Sequence, residues 1–220
     1  MTIVFDAVSS AVSNNESSET WAHTIGAGNN RILFVFMGGY YYTGSAFAPS
    51  IVSITFNGDS LTRITNKDVA SLYGAELWYM VAPDTGTHNI VITYTGTHYG
   101  LCGAASYTGV YHVSPYGTVK TNGSTSTTDI SVTALDSGFI FSCLFTSPDD
   151  YDVTPAAGQN VRLESYNATE SRGILICDEA LDTVAGYTTA SSIYASLIAT
   201  TLKPAIAVLG SPCITNCMSL

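Results

Sequence analysis

The chain reads as an all-β protein, an antiparallel β-sandwich, and three observations predict it. Short apolar alternations recur between residues 51 and 110 at a spacing of roughly 8 to 12 residues, each bounded by Gly, Asn, Asp or Pro. No segment sustains an apolar period of 3.6, so no helix of consequence is expected. Hydrophobic residues make up 46% of the 220 and charged ones only 11%, with 14 Tyr and 19 Gly, so outer faces must be solubilised by hydroxyls, which suit a pleated surface.

Each element follows in order. Residues 2–12 predict an edge strand with Ile3, Phe5, Ala7 and Val8 in near alternation, and the polar run SNNESSET that follows predicts a loop. Trp21, His23 and Ile25 alternate into a turn at 26–30. RILFVFMGGYYY is a continuous apolar run, as expected of a strand covered on both faces, and TGSAFAPS leads out of it. Ile54 and Phe56 are separated from Leu61 and Ile64 by Asn57-Gly58-Asp59, the strongest short hairpin signal, because a type I′ turn needs positive φ at both central residues. Leu77, Tyr79 and Val81 alternate up to Pro83, Asp84 to Thr87 supplies turn chemistry, and Ile90, Ile92 and Tyr94 resume a period of two. A turn is expected at 96–100, and a small-residue strand runs from there to Gly109.

Beyond it, 115–126 reads as turn-rich, Ile130, Val132 and Ala134 alternate, and GFIFSCLFT (138–146) reads as a buried strand. A surface loop spans 147–158, and strands are expected at 161–166, 173–179 and 192–203. Short helical turns are allowed at 66–71 and 179–184. The total, about ten strands, suits a jelly-roll-like sandwich of two sheets. Residues 1–205 form one such domain, and 206–220 are read as a C-terminal tail or arm.

Charge and hydropathy remove whole classes. The formal net charge is −10, from 7 Lys and Arg against 17 Asp and Glu, with no basic patch to displace phosphate counterions, so no nucleic-acid partner is expected. The N-terminus lacks the cationic and apolar regions of an export signal. The late apolar stretch is broken by Lys203 and Pro204 well short of the roughly 20 residues that cross a bilayer, so no membrane role is expected.

Five cysteines do not pair evenly. Cys102, Cys143 and Cys177 lie in apolar runs and read as buried free thiols, whereas Cys213 and Cys217 in the tail either close a small disulfide loop, cross-link neighbouring subunits in an oxidising medium, or stay reduced. Gly58-Asp59-Ser60-Leu61 spells the nucleophile block of an esterase family, but here the letters fall in a hairpin with a strand after them, so Ser60 is not read as catalytic. The four histidines read as strand or turn residues with an exposed ring edge and no acid to orient a base. Asp149, Asp150 and Asp152 form the densest acidic cluster, a weak calcium candidate without the glycine or spacing of a known calcium loop. Tyr40, Tyr41 and Tyr42, with Phe47 nearby, are the best contact surface, since three consecutive aromatics cannot all face one side of a strand. No catalytic residue, no cofactor and no enzyme activity are predicted.

Trp21 to Thr24 (WAHT), Arg31 to Val35 (RILFV), Val52 to Arg63, Glu76 to Thr93, Ala104 to Val110 and Ser192 to Ala205 together resemble a family of jelly-roll-like modules found in phage virion proteins and bacterial surface proteins. The matching positions are core and turn positions, so the resemblance implies fold and setting rather than chemistry. It implies a virion structural protein, a capsid decoration or cement protein or a fibre or spike component, whose partners are the major capsid protein or other virion subunits. Such a protein is assembled in the host cytoplasm, and a homo-oligomer, with a trimer as first choice, is expected. The alternative is a carbohydrate-binding, lectin-like module of a surface or tail protein, located at the extracellular surface, with Tyr40 to Tyr42 or the loop at 149–152 meeting a glycan.

Overall fold

A computed structural model describes residues 1–40, 51–69, 73–133, 136, 138–147, 153–168 and 171–206. The predicted all-β class is observed, but the described residues form thirteen strands rather than about ten, in two antiparallel sheets. The first sheet holds β1 (Val4–Ile25), β2 (Ile32–Tyr40), β3 (Ile51–Phe56), β4 (Asp59–Ser60), β5 (Thr62–Val69), β6 (Tyr73–Val81) and β7 (Gly86–Thr108). The second holds β8 (Tyr116–Val132), β9 (Gly138–Ser147), β10 (Thr154–Pro155), β11 (Asn160–Asn167), β12 (Arg172–Asp182) and β13 (Ala185–Leu202).

Two long ribbons dominate. β1 pairs with β7 from Val4↔Thr108 to Ile25↔Gly86, and β8 pairs with β13 from Tyr116↔Leu202 to Val132↔Ala185. Straight strands rise about 3.3 Å per residue, so Ser9 and His23 on β1 would lie more than about 40 Å apart. Their side chains hydrogen-bond at 2.8 Å, so the ribbon folds back on itself. The fold sits at irregularities around Asn14, Glu16 and Ser18, where Asn15 (φ 64°) and Gly96 (φ 87°) take left-handed backbone. SNNESSET is therefore the bend inside a strand and not a loop: Asn14 to Ser18 are exposed at the turn, Ser13 is buried with its Oγ donating to His98 O, and the backbone keeps pairing with β7. The turn expected at 96–100 is the same bend on β7.

Because each ribbon folds over, the two sheets make four layers with three apolar seams. The first seam lies between the outer layer (the end of β1, the start of β7, and β3) and the inner one, and it packs Trp21, Ile54, Phe56, Ile90 and Ile92 against Leu33, Val35, Met37 and Trp78. The central seam packs Ile32, Phe34, Phe36, Leu77 and Tyr107 against Phe141, Cys143, Phe145, Ile174, Ile176 and Ile198. The third packs Ile130, Val132 and Tyr187 against Ile140, Leu144, Leu175 and Leu197. β2 thus feeds alternate residues to two seams, which is why RILFVF reads as unbroken hydrophobicity.

Further differences have simple causes. The segment predicted as turn-rich, 115–126, belongs to β8, because its Ser, Thr and Gly residues lie on an edge strand whose only strong partner is β13. Where helical turns are allowed at 66–71 and 179–184, residues 66–69 are the end of β5 and residues 179–182 the end of β12, whose backbones pair with β6 and β9, while 70 and 71 lie outside the described residues. The Asn57-Gly58 hairpin forms as expected, with φ of 53° and 89° and Phe56 paired to Asp59. Its return strand is only two residues long, and the chain then leaves to pair β5 with β6.

Candidate functional site

A cleft opens beside that hairpin. It holds about 300 Å³ and is lined by Phe56, Asp59, Ser60, Thr62, Tyr79 to Pro83 and Asp84. One wall is the Asn57-Gly58 turn, held by Leu61 N donating to Ile54 O at 2.9 Å. The other is the β6–β7 connection, where Ala82 sits at φ 51° and its N–H donates to Arg31 O at 2.9 Å. Arg31 Nε donates to Pro83 O at 2.9 Å, and Asn57 Nδ2 bridges the two walls by donating to Asp84 Oδ2 at 2.9 Å. The floor is apolar, from buried Phe56 and Pro83, and the rim carries the exposed groups Asp59, Ser60, Thr62 and Asp84. Carboxylates and hydroxyls beside an apolar floor suit a neutral polyhydroxylated ligand, whose hydroxyls would donate to the carboxylates. A second cleft, about 250 Å³, lies on the other half of the chain between Asp129 to Ser131, Thr154 to Ala156 and Gly186 to Thr188.

Ser60 lines the first cleft, and sequence reasoning did not expect its hairpin to border a cavity. His88 and His112 are engaged elsewhere, with Thr85 O at 3.1 Å and Arg31 O at 2.9 Å. The expectation of exposed imidazole edges fails for two histidines, since His23 is 1% and His98 0% exposed. Both face the seam closed by the folded ribbon, which the sequence does not reveal.

His23 also has the oriented acid that sequence reasoning missed. Ser106 Oγ donates to Asp6 Oδ2 at 2.8 Å, so it must accept from His23 Nε2–H at 3.2 Å, which leaves Nδ1 to accept from Ser9 Oγ at 2.8 Å. Trp21 Nε1 donates to Ser9 Oγ and Gly26 N to Asp6 Oδ2. The residues of this chain are 6, 9, 23 and 106, and only the return of β1 along β7 joins them. Neither Ser9 nor His23 lines either cleft, so the network fastens two layers and presents no nucleophile to a cavity. Burial pushes the His23 imidazole down to about 4, against a weaker pull upward from Asp6.

Glu76 is fully buried beside the same seam, where it accepts from Trp78 Nε1 at 2.9 Å and lies 3.8 Å from Arg63. Burial raises its pKa, and the Trp78 hydrogen bond and the Arg63 charge oppose the rise. Within the second sheet Arg162 on β11 forks onto Asp178 on β12 at 2.6 and 3.0 Å, and Tyr107 O–H donates to the same carboxylate across the central seam at 3.0 Å.

Of the sequence-predicted contact residues, Tyr40 closes β2 half-buried, 5.3 Å from the Tyr73 ring and under the Arg172 guanidinium at 5.1 Å. It thus joins an intramolecular aromatic cluster that continues through Tyr73 to Tyr194 at 4.9 Å. Tyr41, Tyr42 and Phe47, the acidic residues Asp149, Asp150 and Asp152, and Cys213 and Cys217 lie outside the described residues. Cys102, Cys143 and Cys177 are buried free thiols as expected, with burial pushing the first and last up to about 12. Among the described residues no group of three His, Cys, Asp or Glu side chains is placed to hold a metal ion. Comparison with protein-family models, with curated proteins and with solved structures gives no match for this chain.

Proposed function

We propose that the chain is a non-enzymatic structural protein of a virus particle, of the jelly-roll-like module kind, acting as a capsid decoration or cement protein or as a fibre or spike component. The observation that carries this reading is where the family-like residues fall. Leu77, Trp78, Ile90 and Ile92 are buried in seams, Asn57-Gly58 makes a turn, and Ala104 and Ala105 are buried near the end of β7 between β1 and β2, so the resemblance is one of scaffold. A cement protein spans neighbouring subunits and gains affinity from many simultaneous contacts, a role that a scaffold of stacked apolar seams suits. Its partners would be the major capsid protein or other virion subunits, engaged as a symmetric oligomer such as a trimer. Mass spectrometry of purified particles, with co-sedimentation on assembled shells, tests this: a stoichiometric copy number supports it, and absence from particles refutes it.

One observation favours a second reading, a carbohydrate-binding module. The cleft beside Asn57-Gly58 joins an apolar floor to Asp59, Ser60, Tyr79 and Asp84. A glycan array with and without calcium, repeated with Asp59→Asn and Asp84→Asn, checks it. Binding lost in the variants supports this reading, and a blank array at high protein concentration removes it.

A further inference from the structure

The two halves of the chain share one plan. The first half is ordered β1-β7-β2-β6-β5, with β3 laid on the far end of β7. The second is ordered β8-β13-β9-β12-β11, with β10 laid on the far end of β13. Exchanging β1, β2, β3, β5, β6 and β7 for β8, β9, β10, β11, β12 and β13 turns one description into the other. The registers agree at several points, although β12 carries a bulge against β9 between Ala180 and Asp182 that β6 lacks against β2. β5 carries a bulge between Arg63 and Thr65 against β6, and β11 carries one between Val161 and Leu163 against β12. Asn57 N donates to Asn89 O just after β3, and Ala156 N donates to Gly186 O just after β10.

The halves also meet reciprocally. β1 packs on β11 as β5 packs on β8, β7 on β12 as β6 on β13, β7 on β11 as β5 on β13, and β2 on β9. This is the signature of an isologous interface, in which surface i meets j and j meets i. Where equivalents touch each other a twofold axis must pass. Phe34 and Phe141 hold the same place in β2 and β9, and their rings stack at 4.6 Å and 22°. At the end of the halves Val110 bridges to Pro204, and Ala205 N donates to Gly109 O at 2.7 Å. The axis therefore runs between the inner layers, along β2 and β9.

We infer that the chain is a dimer written into one polypeptide: two copies of one six-strand unit, residues 1–110 and 116–205, the first carrying the two-residue β4 in addition, each of whose inner faces is a binding surface for the other. The two faces have become complementary. Gly38 on β2 takes the place of Phe145 on β9, and a Cβ at Gly38 would lie 2.5 Å from the Phe145 ring. Gly103 on β7 takes the place of Ile198 on β13, and a Cβ there would meet Leu163 at 2.7 Å and Ile176 at 2.9 Å. The first half offers holes and the second offers knobs. Like halves would set Phe145 against Phe145 or leave a void between two glycines, so each face rejects its own copy and accepts the other.

Rotating side chains about this axis should leave the seam intact, which gives the test. In the full chain, Ile32, Phe36 and Gly38 are exchanged for Phe139, Cys143 and Phe145, giving I32F, F36C and G38F together with F139I, C143F and F145G. Two controls carry only one strand's substitutions. The full exchange should keep a single cooperative thermal transition with a midpoint within about 10 °C of the parent, whereas both controls should lose it or fall well below. The milder pair reads the same thing: G38F and F145G each destabilise alone, and together should recover at least half of the summed loss. A full exchange as unstable as the worse control, or additive losses in the pair, overturns the inference. No particle or glycan enters the measurement, so its outcome is independent of the function proposed above.

Discussion

His23 links Ser9 to Ser106 across the first seam, and burial holds its pKa at about 4 against an ordinary 6.5. His98, stacked 4.9 Å from Tyr94, is held at about 3, by burial first and then by the Arg172 charge. Unfolding restores both to the ordinary value, so the unfolded chain binds more protons wherever the pH lies below about 6.5. Stability is thus fully present above that pH and falls as the pH drops toward 4, with His23 alone contributing about 3 kcal/mol at about 1.4 kcal/mol per unit. Glu76 works the other way, because a carboxyl whose folded pKa is raised recovers stability on acidification. Urea midpoints should fall between pH 7 and pH 4.5, and His23→Gln, which can still bond both serines, should flatten that fall. The three buried thiols give a second outcome at this scale. With pKa values pushed up by burial, Cys102, Cys143 and Cys177 should resist a thiol reagent in the native protein and react once denatured.

Strand bends decide the layers. Gly96 has φ 87° at the fold of β7, so Gly96→Val should cost more than about 1 kcal/mol, while Asn15→Gly on β1 should be neutral or slightly stabilising, as read by chemical denaturation. The contrast shows what the sequence could tell. Asn57-Gly58 was legible because a two-residue turn is local chemistry, and both residues take the left-handed backbone that the pair predicts. The runs RILFVF and GFIFSCLFT were legible because a strand between two seams has no polar face. SNNESSET was not, since a polar run that bends a paired strand has the composition of a loop, and only Val91 to Thr93 and His98 to Gly100 across the ribbon show it to be paired. The cleft at Asp59 and Asp84 was hidden for the same reason: Asn57 brings its walls together over 27 positions of sequence. The likeness of the halves was hidden because their contacts diverged as glycine against phenylalanine, which removes self-similarity from the letters while preserving the interlock.

At the scale of the whole molecule the central seam carries the most. Phe34 is fully buried, stacked on Phe141 and edge-on to Tyr107 at 6.4 Å, so Phe34→Ala should cost about 3–5 kcal/mol in equilibrium unfolding. The segment joining the halves lies beside the ends of the domain. Met1 N donates to Ala205 O at 3.0 Å, Tyr111 N to Lys203 O at 2.8 Å and Lys203 N to Pro115 O at 2.9 Å. A permutant that joins residue 205 to residue 1 through a short glycine linker and opens the chain between Val113 and Ser114 should therefore fold, with native far-ultraviolet dichroism and a cooperative melt. Val113, at 83% exposure, marks that opening as a surface position. Joining two matching faces through five residues has one more consequence, which concerns mass action. A pair of separate subunits comes apart when diluted below its dissociation constant, but a pair on one backbone has no such constant, and its folded fraction is the same at any concentration.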